Sequence, residues 1–173
     1  MSQGASIDSL PEFLAHALAI EQEAAGRYQE LGDQMTAHNN TAAAELFFWL
    51  AQIEAQHAQQ VARRSEGIAL PAIEPWDYQW VGFESPESAA YEGAHYLMTA
   101  FHALEIARAN EQRAAQFFER VAQTTRDEAV RKVALEMAAD ERQHMAYVER
   151  AMAKHARPSE DWDEDLNPPQ EPE

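Results

Sequence analysis

The stretch Val133-Ala-Leu-Glu-Met137-Ala-Ala-Asp140-Glu141-Arg-Gln-His144-Met-Ala-Tyr-Val148 decides how the chain is read. Val130, Val133, Met137, Val148 and Met152 recur at helical spacing and mark one apolar face. Glu141 and His144 fall inside that face, where the period calls for hydrophobes. A carboxylate there loses several kcal/mol of solvation or is driven neutral unless a cation compensates it. Spacing i, i+3 sets the Glu and His about 5 to 6 Å apart at Cβ on one side of the helix, a spacing from which both can reach one metal ion.

One Glu-x-x-His carries little weight in a chain this rich in glutamate, and Glu92-x-x-His95 reads as a chance match. A second motif, Glu54-Ala-Gln-His57, interrupts an equivalent stripe of Phe47, Leu50 and Val61. Two further stripes each contain one carboxylate: Leu14, Leu18, Glu21, Ala25, Tyr28, and Leu97, Phe101, Leu104, Glu111, Ala115, Phe118. The stripes also repeat. Ala19-Ile-Glu21-Gln-Glu-Ala-Ala25 aligns with Ala109-Asn-Glu111-Gln-Arg-Ala-Ala115, while Ala51, Glu54, Gln56, His57 and Val61 align with Ala138, Glu141, Gln143, His144 and Val148. Two fused helix hairpins related by a pseudo-twofold axis follow, each giving half of one site. Surface ion-pair residues on misassigned faces would need four independent coincidences of spacing.

Punctuation bounds four helices, an all-α fold. Ser9-Leu-Pro-Glu12 reads as a capping box opening helix one, roughly residues 10 to 36. His38-Asn39-Asn40-Thr41 supplies a turn and N-cap before helix two, which runs toward Gly67. Helix three begins before Leu97 and ends near Thr124. Thr125-Arg-Asp-Glu128 reads as a second capping box, and Pro158 stops helix four. Between helices two and three Pro71, Pro75 and Pro86 break the pattern, and Trp76, Tyr78, Trp80 and Phe83 are expected to cover apolar bundle surface. That span of about 20 residues can run the length of a bundle, which makes helices two and three parallel, as in ferritin-like bundles with one long crossover.

The length of 173 residues with 46% hydrophobic content suits one core. The expected organisation is a bundle over residues 1–157 and an acidic, proline-containing tail over 158–173. In that tail Glu160, Asp161, Asp163, Glu164, Asp165, Glu171 and Glu173 contribute much of the formal charge of −17. Such a charge without a basic stripe argues against nucleic acid. Nothing resembles a signal peptide or an apolar run of spanning length, so no membrane partner and a cytoplasmic location are expected. The absence of cysteine removes disulfides, thiolate metal sites and thiol nucleophiles.

Over roughly residues 9 to 155 the chain resembles the rubrerythrin branch of the ferritin-like superfamily. The likeness rests on Glu21-(x)6-Tyr28, the two Glu-x-x-His motifs, Glu111 and the crossover. It implies two iron ions, with Glu21 and Glu111 as terminal or chelating ligands, Glu54 and Glu141 as bridging ligands, and His57 and His144 as terminal ligands. Tyr28 would lie just outside the metals, bonded to a ligand carboxylate. The implied activity is a reaction with hydrogen peroxide or O2, of peroxidase or ferroxidase type. Iron or manganese storage and a metal-free scaffold are the alternatives, and carboxylate and imidazole donors suit manganese as well.

Three departures stand out. The additional glutamate that rubrerythrins carry one turn after the helix-three ligand is Ala114 here, and Phe118 stands where the repeat would place a second tyrosine. The rubredoxin cysteines are missing, so an external electron-donor protein is expected, and a homodimer with the aromatic crossover as a contact. Asp140 is read as an acceptor for the second ring nitrogen of a ligand histidine, His57, with plain solvent exposure as the alternative. His16, His38, His95, His102 and His155 lack the paired spacing and are read as surface or satisfied core residues.

Overall fold

The computed structural model describes residues 6–78 and 96–161. Four helices carry the fold: α1, Leu10–Ala37; α2, Thr41–Arg64; α3, Ala100–Thr124; and α4, Glu128–Met152. A 3-10 turn at Pro75–Asp77 lies in the crossover. No strand occurs among the described residues. No helix is long and apolar enough to cross a membrane.

The helix ends show why the chain turns where it does. Asn39 takes a left-handed φ of 57°, which asparagine tolerates, and folds α2 back along α1. Asn40 then caps α2, its Oδ1 accepting from Ala43 N at 3.3 Å. The capping boxes expected at Ser9 and Thr125 are not the ones used. Ser9 makes no side-chain cap bond. At α4 the cap is Asp127, whose Oδ1 accepts from Ala129 N and Val130 N at 2.8 and 3.1 Å. Thr125 instead accepts from Asp127 N at 3.1 Å, so its hydroxyl shapes the turn before the helix.

Two ties between chain ends fix the topology. Asn40 Nδ2 donates to Tyr96 O and Met98 O at 3.1 and 2.6 Å, joining the start of α2 to the segment entering α3. At the opposite end Asp8, just before α1, accepts from Arg126 N at 2.7 Å, just before α4. Helices α2 and α3 therefore start at the same end and run parallel, as do α1 and α4. This is the arrangement expected of a bundle with one long crossover. Helix α3 starts later than the sequence pattern suggested, at Ala100, because Thr99 N donates to the His102 ring and closes the first turn there.

Of the crossover aromatics, Tyr78 packs edge-on against His16 with ring centroids 5.0 Å apart, as a covering residue should. Trp76 does not cover the bundle: it is 78% exposed. Trp80, Phe83, Pro86, Glu92 and His95, and the tail beyond residue 161, lie outside the described residues. The expected dimer contact through the crossover and the acidic tail are therefore not described.

The bundle interior is divided. One apolar cluster joins Phe13, Ile20, Val61, Phe118, Met137 and Ala138, and another joins Ala24, Tyr28, Leu50, Ala51, Ala107 and Val148. On every helix a glutamate lies at the boundary between the two: Glu21 after Ile20, Glu54 between Ala51 and Val61, Glu111 between Ala107 and Ala114, and Glu141 between Ala138 and Val148. Hydrophobic burial above and below this belt holds the helices together and leaves its four carboxylates at most 3% exposed.

Candidate metal centre

All four belt carboxylates are at most 3% exposed. They form two groups with the histidines. Glu21, Glu54 and His57 make one, and Glu111, Glu141 and His144 the other; within each, the candidate ligand atoms lie within 4.8 Å of one another. The structure thus brings together all six residues that the sequence singled out.

The two groups have matching geometry. His57 Nδ1 stands 2.9 Å from Glu54 Oε2 and 3.7 Å from Glu21 Oε2. His144 Nδ1 stands 3.1 Å from Glu141 Oε2 and 3.6 Å from Glu111 Oε2. In both groups Nδ1 is the nitrogen that meets the carboxylates. The imidazoles stack across the pseudo-twofold axis, with centroids 3.9 Å apart and planes 5° from parallel.

The electrostatics describe a centre that calls for cations. Burial pushes the Glu21 carboxyl up to about 8, with the Glu141 and Glu54 charges adding to the rise against the pull of His57. Burial likewise raises Glu111 well above the usual carboxylate range. Burial opposes charge on the histidines too, yet the paired carboxylates override it and push His57 up to about 11 and His144 up to about 10. Glu141, despite its own burial, is held below the ordinary range by the hydrogen bond from His144. Protons on imidazole and carboxyl groups thus offset the negative charge of the protein alone.

Glu21 Oε2 and Glu111 Oε2 are fully buried and have no hydrogen-bond partner. An orphaned acceptor of this kind costs about 1 to 3 kcal/mol, more when charged. The pair are symmetry equivalents, and each faces a histidine Nδ1 just beyond bonding distance. A cation bound in each group would satisfy its orphaned oxygen. Four carboxylates also balance two divalent cations charge for charge, and the donors are all hard oxygen or imidazole nitrogen. The six residues therefore fit a pair of metal ions.

The Tyr28 hydroxyl accepts from Asn110 Nδ2 at 2.8 Å, which ties it to the residue preceding Glu111. Asn110, 1% exposed, was not among the residues read from the sequence. A signal for it existed: in the repeat it stands opposite Ile20. Asp140, expected as the acceptor for His57, turns a half-exposed side chain toward Arg64 Nη2 at 3.7 Å instead. His16 is a satisfied core histidine, fully buried with Nδ1 2.8 Å from Glu12 O.

A four-helix bundle whose second and third helices run parallel, with a buried, twofold-repeated Glu/Glu/His set, has the donor arrangement of the dimetal-carboxylate class of bundles. The model of the rubrerythrin family matches residues 12–152, and the chain belongs to that family. It is also similar to the crystal structure, at 2.00 Å, of an uncharacterized conserved protein from Magnetospirillum magnetotacticum MS-1. The two are 38% identical, with a TM-score of 0.64 over 87% of this chain and 98% of that one. Among curated proteins nothing matches.

Proposed function

We propose that the chain is a di-iron oxidoreductase that reacts with hydrogen peroxide or O2. The observation that carries this reading is the pair of orphaned, buried oxygens on Glu21 and Glu111, set symmetrically in a six-residue donor set. When bound, a pair of iron ions supplies two one-electron redox centres and open positions for a small oxidant.

The chain's own residues have separable tasks. Glu54 and Glu141 share a helix turn with His57 and His144, so each Glu and His of a motif would hold metal from one side of the bundle. Glu21 and Glu111 supply the remaining charge from the facing helices. The apolar clusters on both sides hold the ligands in place and shield the four carboxylates. With no cysteine in the chain, electrons come from a separate donor protein.

The test is to load the full chain anaerobically with Fe(II) and mix it rapidly with peroxide or with O2. Two irons per chain and oxidation faster than that of free Fe(II) are expected. Stoichiometric binding of iron or manganese with oxidation no faster than in solution would replace the enzyme reading with that of a metal-binding or storage protein.

A further inference from the structure

The pseudo-twofold repeat makes the two ends of the seam between α2 and α4 comparable, and they differ sharply. Residues of α2 correspond to residues of α4 at a fixed offset, as Glu54 does to Glu141 and Val61 to Val148. At one end Arg64 of α2 bonds Glu136 of α4 at 2.8 Å and approaches Asp140 at 3.7 Å. This polar clasp leaves a notch of only about 20 Å³ beside Glu21 and His57. At the other end the equivalents of Arg64, Glu136 and Asp140 are Ala151, Trp49 and Ile53. No charge pair can form between them, and a pocket of about 470 Å³ opens there.

That pocket has a defined polarity. Trp49, Leu50, Ile53, Tyr147 and Val148 form its walls, and Glu111 and His144 lie at its inner end. The His144 side chain is correspondingly more open than that of His57, 21% against 10% exposed. Arg150 and Lys154, both exposed, stand at the rim. Arg150 is held over the Tyr147 ring, 4.4 Å from its centroid. Neither cation forms a salt bridge among the described residues; the neighbouring Glu149 is engaged by Arg108 at 2.7 Å. Two cations with no carboxylate partner among the described residues, at one apolar mouth, are notable on a chain of net charge −17.

We propose that this pocket binds an amphipathic monocarboxylate next to the Glu111–His144 half of the metal centre. The lining fixes the orientation: the carboxylate stays hydrated at the rim, where it meets the exposed Arg150 and Lys154, and the apolar body lies along Trp49, Ile53 and Tyr147. The volume falls within the usual range for small-molecule sites, which are apolar with a few placed polar groups. The loss of the clasp on one side only makes the centre asymmetric, with one half closed and one half open to an organic ligand. The inference extends the metal reading, but occupancy of the pocket does not require metal.

The experiment is calorimetric titration of the full chain with decanoate and with decylamine below their micelle concentrations, with metal content measured in parallel. Saturable 1:1 binding of decanoate is expected, with decylamine at least tenfold weaker despite the negative chain. The variant R150A/K154A should weaken decanoate at least tenfold. Transplanting the clasp with W49E/A151R should abolish binding while the metal stoichiometry stays that of the parent. Absence of saturable binding, equal affinity for the amine, or undiminished binding to both variants would overturn the proposal. So would a dimer that W49E/A151R splits while decanoate binds neither form, since the face would then belong to a second copy. Decanoate binding without any metal uptake would count against the dimetal reading alone.

Discussion

Asn110 Nδ2 donates to the Tyr28 hydroxyl at 2.8 Å, and the two repeat equivalents of this pair, Ile20 and Phe118, lie together in one apolar cluster. The same two positions thus carry a polar pair in one half of the bundle and an apolar pair in the other. Each choice is self-consistent; a mixture is not. Phe at 28 would remove the acceptor of the buried Asn110 amide, whereas Ile at 110 would take this donor from the tyrosine hydroxyl and the Oδ1 acceptor from Arg113.

The prediction is strong coupling. Y28F is expected to cost about 1 to 3 kcal/mol, the penalty for stranding a buried polar group. Y28F/N110I, which copies the other half, should be markedly less destabilised than the sum of the single variants. Urea denaturation of the four proteins measures this, and strict additivity would show that the bond contributes nothing to stability.

Gly32 is required by packing rather than by backbone conformation. A Cβ at this buried position of α1 would overlap the Phe48 ring of α2. Alanine ordinarily favours a helix interior by up to about 1 kcal/mol over glycine. Here the overlap should reverse the sign, with G32A losing about 1 to 3 kcal/mol through overpacking. G32A in an F48A background should instead show the normal helix gain. Thermal melts of the two pairs decide it.

The sequence disclosed the belt because burying glutamate is costly, so a carboxylate inside an apolar stripe is an anomaly visible from periodicity. Repetition then separated Glu54-x-x-His57 and Glu141-x-x-His144 from the chance match at Glu92. Helix ends were less legible. Ser, Thr, Asn and Asp all cap, and local spacing did not show that Asp8 would draw the Thr125 and Arg126 region toward α1, leaving Asp127 to cap α4. Asp140 was misread for a related reason: its partner Arg64 comes from α2, and only the folded seam places the two together. The pocket at Trp49 and Ala151 was legible in principle, since both stand opposite charged residues in the repeat.

The Asp8 clamp predicts a pH dependence. Hydrogen bonds from the Arg126 backbone, from Ser6 and from the Arg126 side chain hold the Asp8 carboxyl well below its ordinary 3.8. A depressed carboxylate stabilises the fold above its ordinary value, and the contribution fades as pH falls below about 3.8 toward the folded value. D8N lacks this titration. The stability difference between the parent and D8N should therefore be full at pH 6 and shrink steadily between pH 4 and pH 2, read from denaturant midpoints. A difference unchanged across that range would mean that Asp8 acts through shape alone.

Removing one orphaned carboxylate separates the metal's requirements from those of the fold. Glu21 and Glu111 are buried acids whose charge the protein alone resists, so E21Q or E111Q removes the cost of holding the acid in its protonated form with little change in side-chain volume. The metal-free variants should be at least as stable as the parent, with a gain of about 1 kcal/mol. Their metal binding should fall from two ions per chain to one or none, because an amide oxygen cannot neutralise a cation. Added metal should accordingly raise the melting temperature of the parent much more than that of either variant. Elemental analysis and melts with and without metal test both halves of the statement. A variant that keeps both ions at parental affinity would remove Glu21 or Glu111 from the ligand set, while one that loses metal and stability together would show that its carboxylate also supports the metal-free fold.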